Sequence, residues 1–220
     1  MRAPAPTTSC CRTRTTSLPH MPRSGVPPRV AVFAALREIL TETPWRKVRL
    51  ETVAKQAGVS RQTIYNDFGS RFGLAEAYAY EVADTMCDLI AADLAAHADS
   101  PRAALESALR MFLDATMRDP LIRRVQEGEA HEDLMRLVTT DSGPLLEHIA
   151  GRLAEAVGQV WPVVDPVAGR AFARTIARLC ISYVAMPPET DEDVAAGLAM
   201  LLAPALEAAV QERTVEPDAG

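Results

Sequence analysis

From Val32 to Leu202 apolar side chains return at intervals of three and four, and proline falls almost only where one such run gives way to the next. That spacing gathers apolar groups on one face of an α-helix, and no strand-like alternation is sustained anywhere. Proline fits a first helical turn and stops a helix elsewhere, so Pro28, Pro101, Pro144 and Pro166 read as starts and Asp119-Pro120 as an end. Val32, Phe33, Leu36, Ile39 and Leu40 share one face of a first helix, which Thr43-Pro44-Trp45 breaks. Short helices are expected over Leu50–Ala57 and Ser60–Asp67. A long one then runs from about Ser70 to Ala98, with Leu74, Tyr78, Val82, Met86, Leu89, Ile90 and Leu94 turned inward. At 1.5 Å per residue it is roughly 40 Å long, enough to join two lobes.

Further helices are expected from Ser100-Pro101 to about Asp119, over Leu121–Glu127 and Glu132–Val138, from Ser142-Gly143-Pro144 to about Val160, and from Asp165-Pro166 to Val184. After a turn at Pro187-Pro188, Thr190 reads as the cap of a last helix, its first turn acidic and Pro204 bending or weakening it. Alanine contributes 37 residues while aromatics make up 5%, a balance that favours helix. The fold class is all-α. No run approaches 18 consecutive apolar residues, so no membrane span or membrane partner is expected.

The net charge of −6 conceals a division. Residues 1–80 hold 12 basic and 5 acidic side chains, whereas residues 81–220 hold 11 basic and 24 acidic. Basic charge gathered at one end suggests a polyanionic partner there, and the acidic remainder resists non-specific adhesion to it. Residues 1–27 are rich in Pro, Ser, Thr and Arg and form an expected disordered basic tail. Either Arg12, Arg14, Arg23 and Arg29 follow nucleic-acid phosphates, or translation begins at Met21 and the first twenty residues are dispensable. The tail lacks the apolar core of a secretory signal. Cys10-Cys11, Cys87 and Cys180 have no metal-ligand spacing, so reduced cytoplasmic thiols are expected, with no metal and no cofactor.

The segment Glu51 to Phe68 carries the most specific information. Val53 and Ala54 face inward, and Ala57 permits close helix approach. Gly58 can adopt the positive φ that turns a chain sharply at a helix end. Val59 fills the angle, Ser60 caps the following helix, and Ile64 with Phe68 anchors its buried side. Two short helices joined by such a turn make a helix-turn-helix. The outward side then presents Arg61, Gln62, Thr63, Tyr65 and Asn66. Arg pairs bidentately with guanine, Gln and Asn with adenine, and a Thr methyl meets thymine. Lys55 and Tyr65 are placed for backbone phosphates.

Ala57-Gly58-Val59-Ser60, followed by Thr63-Ile64-Tyr65, Phe68 and Ser70-Arg71-x-x-Leu74, resembles the N-terminal signature of the TetR family of bacterial transcriptional regulators. The match covers about residues 29–80. The resemblance implies three N-terminal helices for DNA, a divergent C-terminal helical domain for ligand binding and dimerisation, and a phosphate contact by Tyr65. Two departures stand out. Arg49 replaces the usual Thr or Ser cap of the first motif helix, and Arg71 replaces the usual Lys opening the fourth. Both keep positive charge beside the DNA.

The expected organisation is therefore a tail (1–27), a helix-turn-helix DNA-binding domain (28–75) and a ligand-binding and dimerisation domain (76–214). The expected DNA contacts are Arg49, Lys55, Ser60, Arg61, Gln62, Thr63, Tyr65, Asn66 and Arg71. Large or adaptable apolar groups are the candidates for a ligand pocket: Met86, Leu89, Ile90, Met111, Phe112, Met117, Trp161, Phe172 and Tyr183. Few charges interrupt them, which points to an apolar small-molecule effector. One recognition helix reads too few base pairs to be selective, so a homodimer on a palindromic double-stranded DNA operator is expected. Helices about 166–184 and 190–210, with rows at Ala171, Thr175, Arg178 and at Val194, Leu198, Leu202, are the expected pairing elements.

The chain is thus expected to be a cytoplasmic, ligand-responsive repressor released by its effector. The alternative is a small-molecule binder that signals through protein partners without DNA. His97, His131 and His148 raise an enzymatic reading, but no nucleophile elbow, phosphate loop or HExxH accompanies them, and no enzyme is expected.

Overall fold

A computed structural model describes residues 27–127, 132–188 and 193–211, and every regular element among them is helical. Expectations that fall on the tail with Cys10 and Cys11, on His131 and on Thr190 lie outside the described residues.

Helix α1 (Pro28–Glu42) opens on proline and packs Val32, Phe33, Leu36, Ile39 and Leu40 inward, and a 3₁₀ turn (Trp45–Lys47) follows. Then come α2 (Leu50–Ala57), α3 (Arg61–Phe68) and the 26-residue α4 (Arg71–Ala96). Serine caps explain two of these starts. Ser60 accepts from the Thr63 amide and Ser70 from the Gly73 amide, satisfying donors that a helix N-terminus leaves unpaired.

The C-terminal part is α5 (Pro101–Thr116), α6 (Pro120–Gln126), α7 (Glu132–Val138), α8 (Gly143–Val160), α9 (Pro166–Ala185) and α10 (Val194–Gln211). Asp119 and Asp165 cap α6 and α9, each taking two backbone amides on one carboxylate oxygen. At the start of the described part of α10, Asp193 accepts from the Ala196 amide. Pro204 sits inside α10, which nevertheless continues to Gln211.

Two large apolar clusters organise the described residues, and α4 is common to both, while Leu146, Ala150 and Ala177 form a small third one between α8 and α9. The first joins α1–α3 to Leu74, Ala75 and Tyr78 of α4. It is completed by Leu121 and Val125 of α6 and by Leu134 and Leu137 of α7. The second collects Cys87, Ile90 and Leu94 of α4 with the inner faces of α5, α8, α9 and α10.

Two expectations about faces are corrected. Leu89 is 45% exposed, because it lies one residue, or about 100°, away from buried Ile90. In α10, Leu198 and Leu202 pack on the second cluster, and the exposed apolar groups are their neighbours Met200 and Leu201. On α9, Ala171, Thr175 and Arg178 are exposed. Helix α10 is long and apolar enough to cross a membrane by length and composition, yet it docks Ala195, Ala199, Ala203 and Leu206 against the second cluster.

Candidate nucleic-acid interface and effector cavity

The turn between α2 and α3 forms as its residues demand. Gly58 adopts φ 69°, ψ 24° in the left-handed region, where its amide closes the end of α2 on the Ala54 and Lys55 carbonyls. Ile64 and Phe68 are buried, so α3 is pinned by one face and presents the other. Arg61, Gln62, Tyr65 and Asn66 are exposed and Thr63 is half-buried. Ser60 is occupied by its capping role and a 2.8 Å hydroxyl contact with Thr63. The Gln62 amide donates to the Asn66 side chain at 2.6 Å, so these two exposed side chains hold each other one turn apart. Tyr65 donates its hydroxyl to Glu51 at 2.9 Å. That bond raises the Tyr65 pKa, while a backbone hydrogen bond and then the Tyr65 hydroxyl hold Glu51 below the usual carboxylate range.

Exposed Arg49 and Lys55 flank this surface, and Arg49 occupies the cap position of α2 without a capping side-chain bond. Arg46 and Lys47, exposed on the 3₁₀ turn, add basic charge next to Arg49 that the motif itself did not single out.

Arg71 is placed differently from its expected phosphate contact. Its Nε and Nη2 donate to Asp133 of α7 at 3.0 and 2.7 Å, and its Nη1 donates to the Arg46 carbonyl. Its guanidinium also covers the Trp45 ring, 5.6 Å from the centroid. Sequence reasoning missed this because the partner carboxylate lies 62 residues away. Gly73 is needed for close approach: a Cβ there would collide with the Phe68 carbonyl, so glycine sets how tightly α3 is held against α4.

Three further links tie the head to the helices behind it. Arg124 of α6 donates Nε and Nη2 to the Leu40 carbonyl, capping the exposed end of α1. The fully buried Tyr78 donates to Asp119 at 2.8 Å and accepts from Arg37 Nε of α1 at 3.1 Å. Burial, followed by the Asp119 charge, pushes the Tyr78 hydroxyl well above the ordinary tyrosine range.

Behind this junction lies a cavity of about 110 Å³ bounded by α4 to α9. Met86, Ile90 and Phe112 line it, as do the two buried thiols Cys87 and Cys180. Of its lining side chains only Thr116 and Asp119 carry oxygen. Both are engaged, Thr116 donating to the Leu113 carbonyl and Asp119 accepting from Tyr78 and two amides. A second cavity of about 40 Å³ is wholly apolar and is bordered by Trp161 and Phe172.

The remaining expected pocket residues lie elsewhere. Met117 is 58% exposed just past α5, Leu89 faces outward as described, and Met111 and Tyr183 pack on the second cluster without lining either cavity. Leu121, Val125, Leu134 and Leu137 were not anticipated as lining residues. Their signal in sequence is only that two short helices, α6 and α7, carry an apolar face.

Comparison with known proteins bears on this arrangement directly. A family model described as "Bacterial regulatory proteins, tetR family" matches residues 32–78, and one described as "Bacterial Tetracyclin repressor, C-terminal domain" matches residues 100–204. The HTH-type transcriptional regulator AlkX of Mycobacterium tuberculosis is 41% identical over 187 residues, covering 85% of this chain and 89% of that protein. The crystal structure of the TetR-family repressor AlkX from Dietzia sp. strain DQ12-45-1b superposes with a TM-score of 0.76 at 38% identity. It covers 84% of this chain and 98% of its own, and its description implicates that protein in biodegradation of n-alkanes. A TetR-family structure from Mesorhizobium loti, at 15% identity and TM-score 0.51, shares the fold alone. With its helix-turn-helix, its cavity-bearing helical domain and relatives of this closeness, the chain belongs to the TetR family of ligand-responsive, DNA-binding transcriptional regulators.

Proposed function

We propose that the chain is a repressor that binds a palindromic operator as a homodimer and leaves it when an apolar, aliphatic molecule fills the cavity behind the head. The observation that carries this reading is that the cavity wall and the head's own core are the same side chains: Leu121, Val125, Leu134 and Leu137 belong to both. A molecule that displaces them repacks the surface on which α1 rests. It releases DNA only if it binds that repacked arrangement more tightly than the DNA-competent one. The cavity offers no unengaged polar group among those described above, so recognition there is by apolar burial, about 25 cal/mol per Å². The alkane association of the Dietzia relative supports a saturated chain as the ligand class.

On the DNA side, Arg61, Gln62, Thr63 and Asn66 read bases, and Arg49, Lys55 and Tyr65 hold phosphates, Ser60 positioning the helix end. Tyr65 exchanges Glu51 for a phosphate on binding. Dimerisation uses the outer faces of α9 and α10, about 166–184 and 190–210. The exposed apolar groups there, Val167 at 78% and Leu201 at 70%, support that pairing. The protein acts in the cytoplasm and catalyses nothing.

A mobility shift on the promoter region beside its own gene, with and without linear alkanes, tests the reading. Folded protein with no specific complex at low salt refutes it, as does a complex that no aliphatic compound dissociates. Arg61→Ala is expected to cost about 1–3 kcal/mol at one base position, whereas Tyr65→Phe weakens all sites evenly.

A further inference from the structure

The two cavities meet at side chains that line both: Ile90 of α4, Phe112 of α5, Leu153 of α8 and Cys180 of α9. Each of four helices supplies one residue to this partition, and Phe112 is the largest of them. On the near side the wall is the head's own core, and on the far side it is Trp161, Phe172 and Leu206. Both compartments are apolar, and a ring can swing where a backbone cannot. A linear saturated chain is the ligand shape that can occupy one compartment and thread into the next, since a fused or branched ring system of equal volume cannot pass a single displaced side chain.

We infer that the cavities are the two arms of one bent channel and that Phe112 is the gate between them, which makes it the residue that measures chain length. This inference rests on the aliphatic-effector reading above. Short chains stay in the near arm. Longer chains turn the Phe112 ring aside and place their end against the indole of Trp161. That indole is fixed by a 2.8 Å hydrogen bond from Nε1 to the Ala98 carbonyl, so it is a stationary marker of the far arm. Within one arm each added methylene tightens binding about fourfold. The gain stalls at the length that first meets Phe112 and resumes beyond it.

The test uses the full chain carrying Trp45→Phe, which leaves Trp161 as the sole tryptophan. The Trp45 indole nitrogen has no hydrogen-bond partner, so phenylalanine there strands no polar group. Linear alkanes from hexane to hexadecane are the probes, read by melting temperature for binding and by Trp161 emission for reach. Short members are expected to raise the melting temperature with emission unchanged. Emission changes from one chain length onward, and Phe112→Leu and Phe112→Ala move that onset progressively to shorter chains. Stabilisation by alkanes with an onset absent, or identical in all three proteins, overturns the gate and leaves the aliphatic-effector reading standing. No stabilisation at any length overturns that reading, and the gate falls with it.

Discussion

Replacing Tyr78 by phenylalanine isolates the one hydroxyl that joins α1, α4 and α6. The ring keeps its edge contact with Phe33, 5.7 Å between centroids, so the packing term is close to zero. What is lost is the 2.8 Å bond to Asp119 and the 3.1 Å bond from Arg37. Arg37 is exposed and rehydrates, which leaves the cost on Asp119. A hydrogen bond to a charged group contributes about 1.5–3 kcal/mol, and partial exposure of Asp119 places the expected loss near 2 kcal/mol. For a chain of this length that lowers the melting temperature by about 4–8 °C. Urea denaturation measures it directly, as a lower midpoint at unchanged slope.

A pH series adds a second, independent reading of the same hydroxyl. Folding raises the Tyr78 pKa above the ordinary tyrosine value of 10.0. Its contribution is therefore complete below pH 10 and is lost as pH rises above it, because the unfolded chain releases a proton that the folded chain holds. The phenylalanine variant accordingly loses stability less steeply above pH 10. A midpoint within about 0.5 kcal/mol of the parent, with an unchanged alkaline slope, refutes the claim that this hydroxyl couples the head to the cavity wall.

Three further perturbations are informative. The buried thiols are pushed up to about 11 at Cys87 and about 12 at Cys180, chiefly by desolvation, so stability falls as pH rises past 9; Cys87→Ala with Cys180→Ala flattens that loss by up to about 1.4 kcal/mol per pH unit for each thiol, measured by denaturation at pH 8, 9 and 10. Gly73→Ala drives a Cβ into the Phe68 carbonyl and is expected to cost about 1–3 kcal/mol while weakening operator binding through a shifted α3, read by calorimetry and mobility shift. Since Arg71 is engaged by Asp133, Arg71→Ala is expected to lower stability and leave the salt dependence of DNA binding unchanged; a slope shallower by about 0.9, the value of one phosphate contact, contradicts this.

Many helix boundaries were readable because local chemistry marks them: proline at α1, α5 and α9, a side-chain cap at Ser60 and Ser100, and positive φ at Gly58. The outward side of α3 was readable for the same reason, since two buried residues, Ile64 and Phe68, fix which side faces out. What depends on distant partners was not. Arg71 looks like a free cation until α7 brings Asp133 beside it, and Leu89 looks like a core residue until α4 is seen to turn its Cys87–Ile90–Leu94 edge inward. The cavity shows the same limit. Met86, Ile90 and Phe112 carry a signal in size and spacing, whereas Leu121, Val125, Leu134 and Leu137 acquire their position only when α6 and α7 wedge between the head and the bundle.

Because α6 and α7 finish the apolar interior of the first three helices, the amino-terminal lobe is not a detachable cassette. A fragment ending near residue 80 bares Leu74 and Tyr78 and forfeits the Arg124 bonds to the last carbonyls of α1. Exchanging heads between paralogues in order to rewire promoter choice therefore requires transplanting the facing sides of both short helices as well. A chimera joined at the start of α4 alone inherits a mismatched seam, and with it an altered response to inducer.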